Sequence, residues 1–103
     1  MQNQTLTNTQ TRFLKSLAHS LKPVVRVGQH GLSEAVLAEL SIALNHHELV
    51  KVKVAADDKA ARDAMLDQML KKSDAVLVQR IGNMVVLYKQ NKDKPVIDLK
   101  IAG

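Results

Sequence analysis

Apolar residues along this chain keep two different periods. Leu14, Leu17, Ala18 and Leu21 follow the i, i+3, i+4, i+7 spacing that lines up one stripe on a helix. Thr9 or Thr11 is the expected cap, and Arg12, Lys15 and His19 fall off the stripe toward solvent. Pro23 disfavours helical backbone in the residue before it, so it ends this helix and opens a strand over Val24 to Val27. Beyond Gly28 and Gly31, Ser33 is placed to cap a second helix, with Leu32 and Leu37 spaced as a hydrophobic staple. That helix is expected to reach His46 or His47 and to bury Val36, Leu37, Leu40, Ala43 and Leu44. The period then changes to two. Val50, Val52 and Val54 point inward from a strand starting at Leu49, and Lys51 and Lys53 point to water.

Asp57 or Asp58 is expected to cap a third helix that runs to about Lys72. Its buried side is Ala61, Met65, Leu66, Met69 and Leu70, and Lys71 and Lys72 sit in the last turn, where cations suit the helix dipole. Ala75 to Arg80 and Met84 to Lys89 read as strands about Gly82-Asn83, a pair suited to a two-residue type II′ turn. The resulting order is αβαβαββ. A helix between the first two strands makes them parallel, while the closing hairpin is antiparallel. The expected fold class is α/β (α+β). It is a two-layer sandwich whose four-stranded mixed sheet carries its helices on one face and leaves the face of Lys51 and Lys53 open.

Composition narrows the chemistry. At 103 residues there is room for one core. Phe13 and Tyr88 are the only aromatic residues, so the core is aliphatic and a platform stacking several bases is disfavoured. Without cysteine there are no disulfides and no thiolate metal sites, which fits a reducing compartment. No apolar run approaches the roughly 20 residues that span a bilayer, and no signal-peptide apolar region opens the chain. A cytoplasmic protein with no membrane partner is therefore expected.

The net charge is +5, and its placement matters more than its size. Arg12, Lys15, Lys22 and Arg26 all precede the first acidic residue, Glu34, after which the two signs nearly balance. A polyanionic partner follows. Lys22 and Arg26 lead into Val27-Gly28-Gln29-His30-Gly31-Leu32-Ser33, a glycine-bracketed loop between a strand and a helix start. Glycines let a ligand approach the backbone closely, and a helix start turns unpaired N–H groups and a positive dipole end toward it. Such a loop suits a phosphate. The same glycines also serve a tight turn with no ligand, and Glu34 in the first helical turn disfavours an anion. Lys51 and Lys53 read either as the solvated side of a strand or, if they lie beside Arg26, as part of the same surface.

Nothing assembles into a catalytic set. His46 and His47 are adjacent, so on a helix they diverge by about 100° and cannot share a metal. Asp63 and Asp67 fall on an expected exposed helix face, and Met65 and Met69 are core fillers. The loop lacks the lysine and Ser/Thr of a GxxxxGK[ST] phosphate-binding loop. The expectation is no enzyme, no cofactor, no metal and no small-molecule substrate.

The residues as a set resemble a known family. Lys22-Pro23-Val24-Val25, the loop from Val27 to Ser33, Ala43-Leu44 and the run His47-Glu48-Leu49-Val50-Lys51-Val52-Lys53 look like the CRM domain, named for chloroplast RNA splicing and ribosome maturation. A single-domain chain of this length is similar to its free-standing bacterial form, the YhbY family. The likeness covers about residues 11–90, and Ile81-Gly82 with the strand Val85 to Tyr88 fits the family's closing hairpin. The GxxG loop alone is a weak motif, but with the HELVKVKV run it is specific. The resemblance implies a fold similar to the C-terminal domain of translation initiation factor three. It also implies binding of RNA, with the precursor of the large ribosomal subunit as the associated particle in ribosome assembly. The loop is likened to that of KH domains, where it clamps a nucleotide backbone. Many relatives carry Lys or Arg inside it, where this chain has Gln29 and His30. Backbone N–H groups, Arg26 and a protonated His30 would then have to serve.

The expected RNA-binding residues are therefore Arg12, Lys15, Lys22, Arg26, Gly28, Gln29, His30, Gly31, Lys51 and Lys53. The expected organisation is a tail over residues 1–8, a CRM-type RNA-binding domain over 9–90, and a tail over 91–103. In this last tail, alternating Ile97, Leu99 and Ile101 suit an added edge strand. The alternative is a protein-binding module that docks a ribosomal protein on the open sheet face. Salt separates the two, because phosphate binding weakens steeply with salt and an apolar dock does not.

Overall fold

The computed structural model describes residues 6–28, 31–56, 58–91 and 93–97. The first helix, α1 (Asn8–Ala18), is capped two residues earlier than Thr9, the nearer of the two caps expected from sequence. Thr7 caps it instead, because Gln10 stands three residues on. The Thr7 hydroxyl accepts from the Gln10 N–H and the Gln10 side chain accepts from the Thr7 N–H, each at 3.0 Å. The other helices begin at expected caps. The Ser33 Oγ accepts from Val36 N–H at 3.1 Å to open α2 (Glu34–His47), and Asp58 accepts from Ala61 N–H at 2.7 Å to open α3 (Lys59–Ser73). The strands are β1 (Val25–Val27), β2 (Leu49–Val54), β3 (Val76–Ile81) and β4 (Met84–Tyr88).

These strands form one mixed sheet in the order β1-β2-β4-β3. β1 runs parallel to β2, and β4 is antiparallel to both β2 and β3, with a bulge between Leu77 and Gln79. Gly82 turns the hairpin at φ 58°, a conformation that costs glycine little.

The layering differs from the sequence expectation of helices on one face. Val50, Val52 and Val54 of β2, with Val85 and Leu87 of β4, pack against Leu40 and Leu44 of α2 and Leu66 and Met69 of α3. The alternate residues Leu49, Val86 and Tyr88 pack with Leu14 and Ala18 of α1 in a separate cluster on the opposite face. The physical reason is visible in β4. A strand with one wet face alternates apolar with polar residues, but Val85-Val86-Leu87-Tyr88 is apolar throughout and entirely buried. It therefore needs cover on both sides, and α1 supplies the second. The cover is partial. The cluster under α1 takes in Val76, Leu49 and Tyr88, whereas Arg26, Lys53 and Met84 share that face outside it.

One buried polar residue was not expected. Glu48 follows α2 at φ 61° and is fully buried. Its carboxylate accepts three backbone N–H bonds from the C-terminal segment: Asn91 to Oε2 at 2.6 Å, and Val96 and Ile97 to Oε1 at 2.8 and 2.6 Å. This clamp turns the chain back against the α1 side, where Ile97 joins the apolar cluster. The described residues beyond Tyr88 form no strand, and Leu99 and Ile101 lie outside the described residues. Asp63, whose side chain is about half exposed, pairs with Arg80 of β3.

Candidate functional site

Parallel pairing of β1 with β2 sets Arg26 directly opposite Lys53. Val25 and Val27, like Val52 and Val54, are buried toward α2 and α3, so Arg26 and Lys53 share the α1 side of the sheet. Lys51 is two residues away on that face, and the Val24 N–H donates to its carbonyl at 3.1 Å, fixing the approach to β1. Lys22 is exposed just upstream. Arg26, Lys51 and Lys53 on two adjoining strands, with Lys22 just before β1, thus form a basic strip. The ion pairs among the described residues are Lys71 with Asp67 and Arg80 with Asp63, so no carboxylate of the described residues pairs with the strip. Like charges directly opposite on paired strands destabilise a sheet.

The strip ends at the glycine loop. The two glycines differ. Gly31 has φ 88°, and its N–H donates to the Gly28 carbonyl at 3.0 Å, closing a turn. Its conformation needs glycine, and its N–H is engaged inside the turn rather than turned to a ligand. Gly28 is exposed, and nothing lies within 4 Å of where a Cβ would stand. It is therefore Gly28 that leaves the open space a close-approaching phosphate requires. Gln29 and His30 lie outside the described residues. At the start of α2 the Val36 N–H is satisfied by Ser33 and exposed Glu34 occupies the first turn, which weakens the helix-start contribution to anion binding. Arg12 and Lys15 are exposed on α1, on the same side of the sheet as the strip but on a separate element.

A groove of about 460 Å³ adjoins the strip between the end of α1, the segment that leads into β1, and strand β2. Leu17, Leu21, Val24, Val96 and Ile97 supply apolar walls, with Lys22 and Lys51 among the lining residues. Sequence reasoning missed it, although a signal exists. The apolar stripe of α1 outruns the helix, which stops at Ala18, so Leu21 extends past its end. Among the described residues no three His, Asp or Glu side chains converge as metal ligands, and no helix is long and apolar enough to cross a membrane.

Comparison with known proteins matches the CRS1/YhbY (CRM) domain over residues 6–89. The chain belongs to the CRM domain family. An "RNA-binding protein" of Haemophilus influenzae is 47% identical over 89 residues, covering 86% of this chain and 90% of that protein. "Probable RNA-binding protein YqeI" of Bacillus subtilis is 38% identical over 94 residues, covering 91% and 98%. A solution structure of a Staphylococcus aureus protein superimposes with a TM-score of 0.73 at 31% identity, covering 84% of this chain and 91% of that one. In this CRM domain the basic strip, the glycine loop and Glu48 all fall inside the matched region. The segment that Glu48 clamps, from Asn91 onward, lies beyond it.

Proposed function

We propose that this CRM domain binds RNA through Lys22, Arg26, Lys51 and Lys53, with the backbone at Gly28 admitting a phosphate and Arg12 and Lys15 adding outer contacts. The single observation that carries this reading is the register of Arg26 against Lys53, in a strip that no carboxylate of the described residues pairs with. Such a strip stabilises a polyanion and releases its counterions, so affinity comes mainly from phosphates. The names of the relatives add weight, since those from Haemophilus influenzae and Bacillus subtilis are both named for RNA binding. The proposed RNA is that of the large ribosomal subunit precursor, and the proposed role is assembly of that subunit in the cytoplasm without catalysis. Gln29 and His30 are assigned to the loop contact.

Crosslinking in cells followed by sequencing of the bound RNA tests this. Enrichment of large-subunit precursor RNA is expected, and Lys53→Gln with Arg26→Gln should abolish it. Enrichment of unrelated RNA would overturn the ribosomal part alone. Crosslinks that persist unchanged in the double variant would overturn the assignment of the strip.

A further inference from the structure

We infer that the groove beside the basic strip receives an unstacked base of single-stranded RNA whose phosphates run along the strip. This rests on the reading of the strip as an RNA site. Leu17 and Leu21 are each 37% exposed and Val24 53% exposed, so three aliphatic side chains lie open to water around one concavity. Its volume of about 460 Å³ falls within the range of small-ligand sites, about 300–1,000 Å³. Among the described residues the polar side chains on its lining are Ser20, Lys22, His47 and Lys51, with no carboxylate. Apolar walls under a cationic rim match a ligand with flat apolar faces joined by anionic links, which is a polynucleotide.

The geometry also selects the strandedness. Val24 sits four residues before Gly28, about 13 Å along an extended chain, and Arg26 lies between them on the same face as Val24. A backbone laid from the glycine loop past Arg26 and Lys53 therefore arrives at the groove within a few nucleotides. Bases of a duplex are stacked and paired and cannot turn into it. Bases of a single strand can be splayed out and received. Aliphatic walls replace the aromatic platforms common at such sites, consistent with a chain that has only Phe13 and Tyr88. One wall, Val96 and Ile97, is held by the Glu48 carboxylate, so the clamp positions part of the groove.

The test uses the full chain and a single-stranded oligoribonucleotide with 2-aminopurine at one internal position, compared with the same strand in a duplex. Wild type should prefer the single strand and change the aminopurine fluorescence on binding. Leu21→Gln should weaken the single-stranded complex about five-fold, as expected for loss of a small apolar contact, with little effect on the duplex. Its salt slope should stay that of wild type, whereas Lys53→Gln should lower the slope by about 0.7, one phosphate's worth on a single strand. Val24→Thr, nearly isosteric and at a half-exposed site, repeats the test where Leu21→Gln disturbs the fold. Single-strand affinity equal to wild type in both groove variants would overturn the base site and leave the strip standing. So would an acidic, leucine-bearing peptide that occupies the groove without displacing RNA. Failure of wild type to bind either RNA with a salt-dependent affinity would overturn the underlying RNA reading instead.

Discussion

Replacing Glu48 with glutamine probes the clamp with the smallest change of shape. Its carboxylate is fully buried and accepts from Asn91, Val96 and Ile97 at 2.6–2.8 Å. In Glu48→Gln the amide oxygen can stay with Val96 and Ile97, but the amide nitrogen then faces the Asn91 N–H, donor against donor. One hydrogen bond to a charged group is lost, worth about 1.5–3 kcal/mol, and the other two fall to neutral strength, about 0.5–1.5 kcal/mol each. The segment can peel away rather than stay buried and unsatisfied, which caps the loss at what docking contributes. The expected cost is about 2–4 kcal/mol, which for a domain of this size lowers Tm by roughly 10–20 °C. Urea unfolding followed by circular dichroism gives the free energy, and amide exchange reads the Asn91, Val96 and Ile97 protons directly. Glu48→Gly serves as a control, because glycine relieves the positive φ of 61°, worth about 1 kcal/mol, and should cost less than Glu48→Ala. A Glu48→Gln protein within about 0.5 kcal/mol of wild type, its three amides still protected, would refute the reasoning.

The two loop glycines should separate in stability. Gly31→Ala forces a Cβ into φ 88° and should cost about 1–2 kcal/mol, while Gly28→Ala should be close to neutral by the same urea titration. For RNA binding the order reverses: Gly28→Asp should lose most of the affinity while remaining folded, measured by filter binding beside circular dichroism. Arg26→Gln should weaken binding to all RNA sequences alike and flatten the salt slope, whereas Lys72→Gln, on α3 across the sheet, should leave both unchanged. Asp67→Asn, which breaks an exposed pair with Lys71, should change stability by no more than about 0.5 kcal/mol.

Much of the fold was legible because its determinants are local. Val50 to Val54 alternates strictly, so β2 appears with its bounds and with Val50, Val52 and Val54 buried. Ser33 and Asp58 cap the helices they precede, since a side-chain oxygen meeting a nearby N–H needs nothing from elsewhere in the chain. The cap of α1 was misplaced for an equally local reason: the Thr7 and Gln10 pair outcompetes a lone threonine. The basic character of the first 33 residues and the glycine loop were legible as well.

What sequence alone left open depends on partners far along the chain. A helical stripe says which side of α1 is apolar, not which face of the sheet it covers. Only the two-sided burial of β4 puts Leu14 and Ala18 against Tyr88, opposite to α2 and α3. The pairing of Arg26 with Lys53 is set by the register of two strands separated by a whole helix, and period two cannot choose a register between strands. Glu48 reads as one more polar residue at a helix end. It becomes a buried clamp only because the chain returns from β4 and offers it three N–H groups. Residue types and local spacing determined the elements and the sign of the surface charge, because those follow from neighbours in sequence. Tertiary packing alone decided which cations stand together and where the groove opens beside them, because those follow from neighbours in space.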